Sequence, residues 1–215
     1  MKILLLGATG GVGRAFREAA LDAGHEVGAF VRAAGATIPV DQAPRNPRLI
    51  ELVGNVLDPS SFAAALDAFK PDAVVSALGS RGKETGSLTD SMPPLIALLE
   101  GRGVRRFVYV SSIGVGESIH QFGFVVRIIL KAMLGAALRE KEPQERVIMA
   151  SSLDWTIVRP GGLVDSPVLD TWRVIEDPRQ RLKAAQVSRT DLATFMLHEL
   201  SSRHYIRKAV SLVSK

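Results

Sequence analysis

The chain has 215 residues, 47% of them hydrophobic and 23% charged, enough to bury the core of one compact domain. Its 27 basic and 22 acidic residues leave a net charge of +5 without a long run of like charges, which argues against a nucleic-acid-binding arm. There is no cysteine, which excludes disulfides and thiolate metal sites, and the histidines His25, His120, His198 and His204 lack metal-ligand spacing.

Only Ile3 to Leu6 separate Lys2 from the first glycine, too short an apolar run for a signal peptide, so a cytoplasmic protein is expected. Lys2 to Leu6 reads as a strand. From Val12 the apolar residues Val12, Ala15, Phe16, Ala19 and Ala23 recur on one helical face, and Gly24 closes that helix. Glu26 to Val31 and Leu49 to Val53 read as further strands. Asp58 is placed to cap a helix with Pro59 at its first position, and Pro71 ends it. The near-continuous apolar runs Asp72 to Leu78 and Arg106 to Val110 read as strands buried on both faces, with a helix around Pro94 to Glu100 between them.

The apolar run Phe122 to Leu138 approaches membrane-spanning length. Arg127 and Lys131 lie near its middle, however, and each costs about 2.5 to 3.5 kcal/mol there, so a buried or pocket-covering helix is expected. A second helical segment from Leu138 to Ala150, a strand from Trp155 to Val158, a helix from Asp191 to Leu200 and a strand from Ala209 to Val213 complete the pattern. Repeated βα alternation predicts a doubly wound parallel sheet with helices on both faces.

The segment Gly7 to Gly13, GATGGVG, joins the first strand to the first helix, where free backbone N–H groups and the helix dipole favour phosphate. Gly7 suits a tight turn, Gly10 and Gly11 a close backbone approach to pyrophosphate, and Gly13 close packing of helix on strand. A purely structural turn is the bland alternative. At the end of the second strand stands Arg32, where an acidic residue would hold the 2′-hydroxyl of NAD; an arginine fork suits the 2′-phosphate of NADP(H). A solvated loop arginine would look the same.

GATGGVG, then GNVLD at Gly54 to Asp58, SALGS at Ser76 to Ser80, FVYVSSIGV at Phe107 to Val115 and LDWTIVRPGGLVD at Leu153 to Asp165 resemble the atypical short-chain dehydrogenase/reductases. Within them the chain is similar to the NAD(P)H-binding group that includes flavin and biliverdin reductases and redox-sensing regulators. VSRTDLATFML at Val187 to Leu197 resembles the family's late helix. The resemblance implies that Gly7, Thr9, Gly10, Gly11 and Val12 hold the pyrophosphate and that Asn55 and Val56 flank the adenine, although aspartate is more usual where Asn55 stands. It places Ala77, Leu78 and Gly79 along the cofactor ribose and Pro160, Gly161 and Gly162 near the nicotinamide.

The wider superfamily uses a serine after its fifth strand and a Y-x-x-x-K pair as the acid–base device. Ser112 matches the serine, with Ser111 beside it, and Lys141 matches the lysine, but Ala137 occupies the tyrosine position. Neither Tyr109 nor Tyr205 has a lysine four residues on. A flavin or quinone, whose reduced form is delocalised, needs no protein acid. More blandly, Ser111 and Ser112 end a strand, Lys141 and Glu145 form a surface ion pair, and His120 is an exposed loop histidine. Ser80 to Lys83 has S-x-x-K spacing without its companion motifs, and Glu84 after Lys83 breaks the P-loop pattern.

The expectation is one Rossmann-like α/β domain over residues 1–215, with the substrate pocket formed by its C-terminal third. It is expected to move hydride from NADPH to a small conjugated acceptor, with Ser112 and Lys141 as candidate catalytic residues. No metal, nucleic-acid or membrane partner is expected, and no oligomeric state is implied. The rival reading is a non-enzymatic NADP(H) sensor acting through a protein partner; an epimerase or isomerase ranks below both.

Overall fold

A computed structural model describes residues 1–37, 46–79, 87–166, 172–182 and 186–214. The S-x-x-K segment, residues 80–83, lies outside them. The elements in chain order are β1 (Lys2–Leu6), α1 (Gly11–Asp22), β2 (Glu26–Val31), β3 (Leu49–Val53), α2 (Pro59–Phe69), β4 (Ala73–Ser76), α3 (Ser87–Gly101) and β5 (Arg106–Val110). A 3₁₀ helix (Gly116–Gln121) follows, then α4 (Phe124–Ala150), β6 (Asp154–Pro160), β7 (Gly162–Val164), β8 (Trp172–Ile175), β9 (Gln186–Ser188), α5 (Arg189–Ser202) and β10 (Lys208–Ser214).

Eight strands form one sheet in the order β3-β2-β1-β4-β5-β6-β10-β8, parallel throughout except for β8, which runs antiparallel to β10 at the edge. The period-two alternation of β1 assigns its residues to two cores. Ile3 and Leu5 join Phe16 of α1 and Leu192 and Met196 of α5 on one face; Leu4 and Leu6 join Phe62 and Leu66 of α2 and Leu95 and Leu99 of α3 on the other. Both faces are therefore covered by helices, as a parallel sheet requires. Asp58 caps α2 through its side chain, which accepts from the Ser60 N–H at 2.9 Å.

Three expectations change. The two helical segments after Phe122 are one helix, α4, running through Pro143. A mid-helix proline removes one N–H and usually breaks the helix. Here the neighbouring Lys141, Gln144 and Glu145 are each tied to the sheet by side-chain hydrogen bonds, which hold the helix on both sides of the break. The first half of α4 is not a buried helix either, because Phe124, Val125, Ile128 and Ile129 are exposed. Thirdly, the irregular C-terminal region contains β8 and a separate two-stranded parallel ribbon, β7 with β9.

Candidate active site

The strand order reverses at β1: the chain crosses from β1 to β2 on one side and from β3 to β4 on the other. The carboxyl ends of β1 and β4 therefore splay apart into a crevice, where open α/β sheets receive ligands. Gly7 occupies the turn out of β1 with φ of +83°, and a Cβ there would lie 2.7 Å from the Ala77 carbonyl oxygen. Gly13 is pressed still closer to the Gly7 carbonyl, so α1 begins hard against the loop. Gly10 precedes α1 without a side-chain cap, which leaves the first N–H groups of the helix without a side-chain acceptor from it.

A cavity of about 430 Å³ opens there, and its lining includes Gly7, Thr9 and Gly10 after β1, Arg32 after β2, Asn55 and Val56 after β3, and Ala77, Leu78 and Gly79 after β4. Arg32 is exposed and has no hydrogen-bond or ion-pair partner among the described residues. The loop behind it is shaped by Glu51 of β3, whose carboxylate accepts from the Gly35 N–H at 2.6 Å and the Thr37 N–H at 2.8 Å. Asn55 Oδ1 accepts from the Leu57 N–H at 3.1 Å, fixing the turn out of β3.

The remaining candidates lie off that cavity. Val12 and Gly13 are buried in α1, while Gly11 faces the stem of Arg189: a Cβ on Gly11 would lie 2.7 Å from the Arg189 Nε. Ser111, Ser112, Pro160, Gly161 and Gly162 group at the ends of β5 and β6. The Pro160 carbonyl accepts from the Ile113 N–H, and the Gly161 N–H donates to the Leu212 carbonyl, each at 3.0 Å. Among the described residues Ser112 Oγ makes only a 3.2 Å hydrogen bond to the carbonyl of Ile113. The hydroxyls of Ser76 and Ser111, at the ends of β4 and β5, are buried without a hydrogen-bond partner among the described residues. A glycine cradle, together with hydroxyls and a guanidinium that have no partner among the described residues, fits a dinucleotide.

Lys141 connects the two groups. Its ammonium donates to the carbonyls of Val110 at 2.9 Å and Leu78 at 3.3 Å, bridging β5 to the cavity wall. Burial pushes its pKa down to about 8, against an upward pull from Glu140 and Glu145. It also approaches Tyr109, the tyrosine that sequence spacing could not pair with it. The Tyr109 hydroxyl is fully buried, donates to Gln144 Oε1 at 2.8 Å and is pushed far above its ordinary pKa by burial and by the nearby Glu145 and Glu140. It is closed to any ligand. Ala137 stands exposed one helical turn before Lys141.

The family model described as NAD(P)H-binding matches residues 7–203. The chain belongs to this NAD(P)H-binding family. ChuY, an anaerobilin reductase of Escherichia coli O157:H7, is 28% identical, with all of this chain and 97% of that one superposed at a TM-score of 0.83. YhfK of Bacillus subtilis, described as an uncharacterised sugar epimerase, is 27% identical over 99% of this chain and 94% of its own. A short-chain dehydrogenase/reductase of Veillonella parvula, solved in complex with NADP, shares the fold at a TM-score of 0.82 and 20% identity, over 99% of this chain and 94% of that one.

Three residues of this NAD(P)H-binding fold had no signal in the sequence. Arg189, at the start of α5, reaches the glycine loop while its guanidinium pairs with Asp165. Arg159 of β6 binds both Glu145 oxygens, at 2.6 and 3.0 Å, and Glu117 at 2.8 Å, pinning the 3₁₀ helix to α4. Glu145 is thus no surface partner of Lys141; its face of α4 points at the sheet. Gln121, at the end of the 3₁₀ helix, is held by the Ser211 hydroxyl at 2.8 Å. His120 is exposed, as expected of a loop histidine.

Proposed function

We propose that this protein is a cytoplasmic NADPH-dependent oxidoreductase that reduces a small conjugated acceptor, a flavin or quinone or a similar ring system, without a tyrosine acid. The observation that carries the reading is the cavity between the carboxyl ends of β1 and β4, with the glycine cradle on one side and Arg32 on its lining. Similarity to a reductase whose acceptor is a bilin-type molecule by name adds support for a conjugated acceptor.

Gly7, Thr9, Gly10, Gly11 and Val12 would hold the pyrophosphate, with Gly13 letting α1 approach, and Arg32 would hold the 2′-phosphate through its planar fork. Asn55 and Val56 would flank the adenine, while Ala77, Leu78 and Gly79 line the ribose. Ser111, Ser112, Pro160, Gly161 and Gly162 would border the nicotinamide and the acceptor. NADPH, when bound, supplies the hydride. Lys141 keeps a proton on Nζ at neutral pH and presents a positive charge to the ribose and to the anionic product. The 3₁₀ helix, pinned by Arg159 and Gln121, and the C-terminal third of the chain would wall the acceptor pocket and limit water. With Tyr109 sealed, the final proton comes from solvent, which a delocalised product anion tolerates.

Fluorescence titration of the purified chain with NADPH and NADH, followed by NADPH oxidation against flavins, quinones and aldehydes, tests the reading. Tighter NADPH binding and turnover with flavins or quinones but not simple aldehydes are expected. Binding without oxidation by any acceptor would instead favour the sensor reading, in which a partner distinguishes the oxidised from the reduced cofactor.

A further inference from the structure

The first half of α4 exposes a large apolar surface that the proposed reaction does not use. Phe124 is 74% exposed, Val125 67% and Met133 77%, and Val126, Ile128 and Ile129 are exposed as well. At 100° per residue these six side chains cover an arc of about 200° of the helix. The opposite side is anchored at two points, where Leu130 packs on a small core of Ile113, Phe122, Ile175 and Val213 and Leu138 is buried, with Leu134 exposed between them. The helix therefore lies along the body of the protein with its apolar arc outward. Soluble monomers rarely keep a continuous apolar patch of this kind without a partner.

Charge indicates the kind of partner. From Ser118 to Arg139 the sequence contains no carboxylate, while Arg127, Lys131 and Arg139 fall within or just beyond the apolar stretch. Arg181 joins them from the segment after β8, its guanidinium donating to the Phe122 carbonyl. A two-fold dimer through this face would bring together two copies of a stretch that carries cations and no carboxylate. An anionic lipid surface accepts both features, taking the apolar arc into its acyl boundary and the cations at its headgroups. Among the described residues no helix is long and apolar enough to cross a membrane, which leaves contact in the plane of the interface.

We propose that the first half of α4 docks this protein peripherally on an anionic lipid surface. The inference stands apart from the cofactor reading.

Flotation of the full chain with phosphatidylcholine vesicles, with and without 30% phosphatidylglycerol, tests it. Recovery with the anionic vesicles, several-fold weaker in 0.5 M salt and on pure phosphatidylcholine, is expected. The variant Val125→Glu/Ile129→Glu/Met133→Glu should lower partition at least tenfold while melting and binding NADPH like the parent. Absence of the wild-type chain from anionic vesicles, or equal partition of the triple variant, would overturn the proposal. So would a dimer in sedimentation equilibrium that the triple substitution abolishes, without vesicle binding. If the parent floats but binds no nucleotide, the functional reading fails and the docking face stands.

Discussion

The ammonium of Lys141 stands 3.3 Å from the hydroxyl of Tyr109 and 4.8 Å from the centre of its ring, yet the two come from different elements, α4 and β5. A tyrosine–lysine contact thus exists although the Y-x-x-x-K spacing is absent. The contact is turned inward. In an acid–base pair the hydroxyl faces the substrate, whereas here it is spent on Gln144, and its pKa is raised when catalysis would need it lowered. Tyr109→Phe is therefore expected to keep NADPH oxidation within about twofold while losing about 1 kcal/mol of stability from the missing hydrogen bond. A hundredfold fall in rate with stability unchanged would identify Tyr109 as the acid after all.

Lys141 itself should make the protein pH-sensitive in a defined direction. In the unfolded chain it holds its proton up to about its ordinary 10.5, in the fold only up to about 8. Between those values the unfolded state binds more protons, so this residue's contribution to stability rises with pH and is flat below and above. Urea unfolding of the wild type and Lys141→Met from pH 7 to 11 should show a difference that grows in favour of the wild type across that window. Cofactor affinity should move the opposite way, falling above pH 8 as the charge proposed to face the ribose is lost, and the Met variant should lack this step. A stability difference that falls with pH would contradict the depressed pKa.

Arg32 and Arg189 are expected to separate two parts of the cofactor. Arg32 has no protein partner among the described residues and lines the cavity, and on the proposed reading it holds the 2′-phosphate. Arg32→Ala should weaken NADPH by about 1–3 kcal/mol and leave NADH nearly unchanged. Equal losses for both would remove Arg32 from that role.

Arg189 lies over Gly11 at the start of α1, where the pyrophosphate shared by both cofactors is expected. Exchanging its exposed partner Asp165 for that phosphate would hold the ligand from the α5 side. Arg189→Ala should therefore weaken NADPH and NADH alike, by about 1.5–3 kcal/mol, and Arg189→Lys should recover part of the loss. Unchanged titrations would leave the Asp165 pair as a surface contact of little weight.

The features legible in the sequence share a local cause. β1, β4 and β5 are continuous apolar runs because both faces of the sheet are covered, and the glycine loop is legible because φ of +83° at Gly7 and the tight contact at Gly13 exclude side chains. What escaped depends on distant partners. Arg106 reads as the start of a strand, but its guanidinium is buried against Glu199 at 3.0 Å and Thr156 at 2.9 Å, residues far along the chain. Lys141 and Glu145 share a helical face, which spacing alone reads as a surface pair; only the packed sheet turns that face inward. β7 and β9 are three residues each, too short for any periodicity. Conversely, the apolar arc of α4 was legible as hydrophobic, but not as outward-facing.

Arg159 offers a test that separates support from chemistry. Its guanidinium is 2% exposed and holds Glu145, itself 3% exposed, through two hydrogen bonds, with Glu117 as a third contact on the 3₁₀ helix. Arg159→Met would leave the Glu145 carboxylate buried without its counter-ion, which costs about 3–5 kcal/mol, whereas pairing it with Glu145→Leu removes the stranded charge and should restore most of that loss. Urea denaturation of the single and double variants checks this coupling. The double variant still lacks the link from β6 to Glu117, so the start of the 3₁₀ helix loses its tie to the sheet while its end stays held through Gln121 and His120. If that helix walls the acceptor pocket, the double variant should bind NADPH normally, fold with near-normal stability and show a KM for the acceptor raised severalfold. Normal acceptor kinetics in a stable double variant would place the acceptor elsewhere along the carboxyl edge of the sheet.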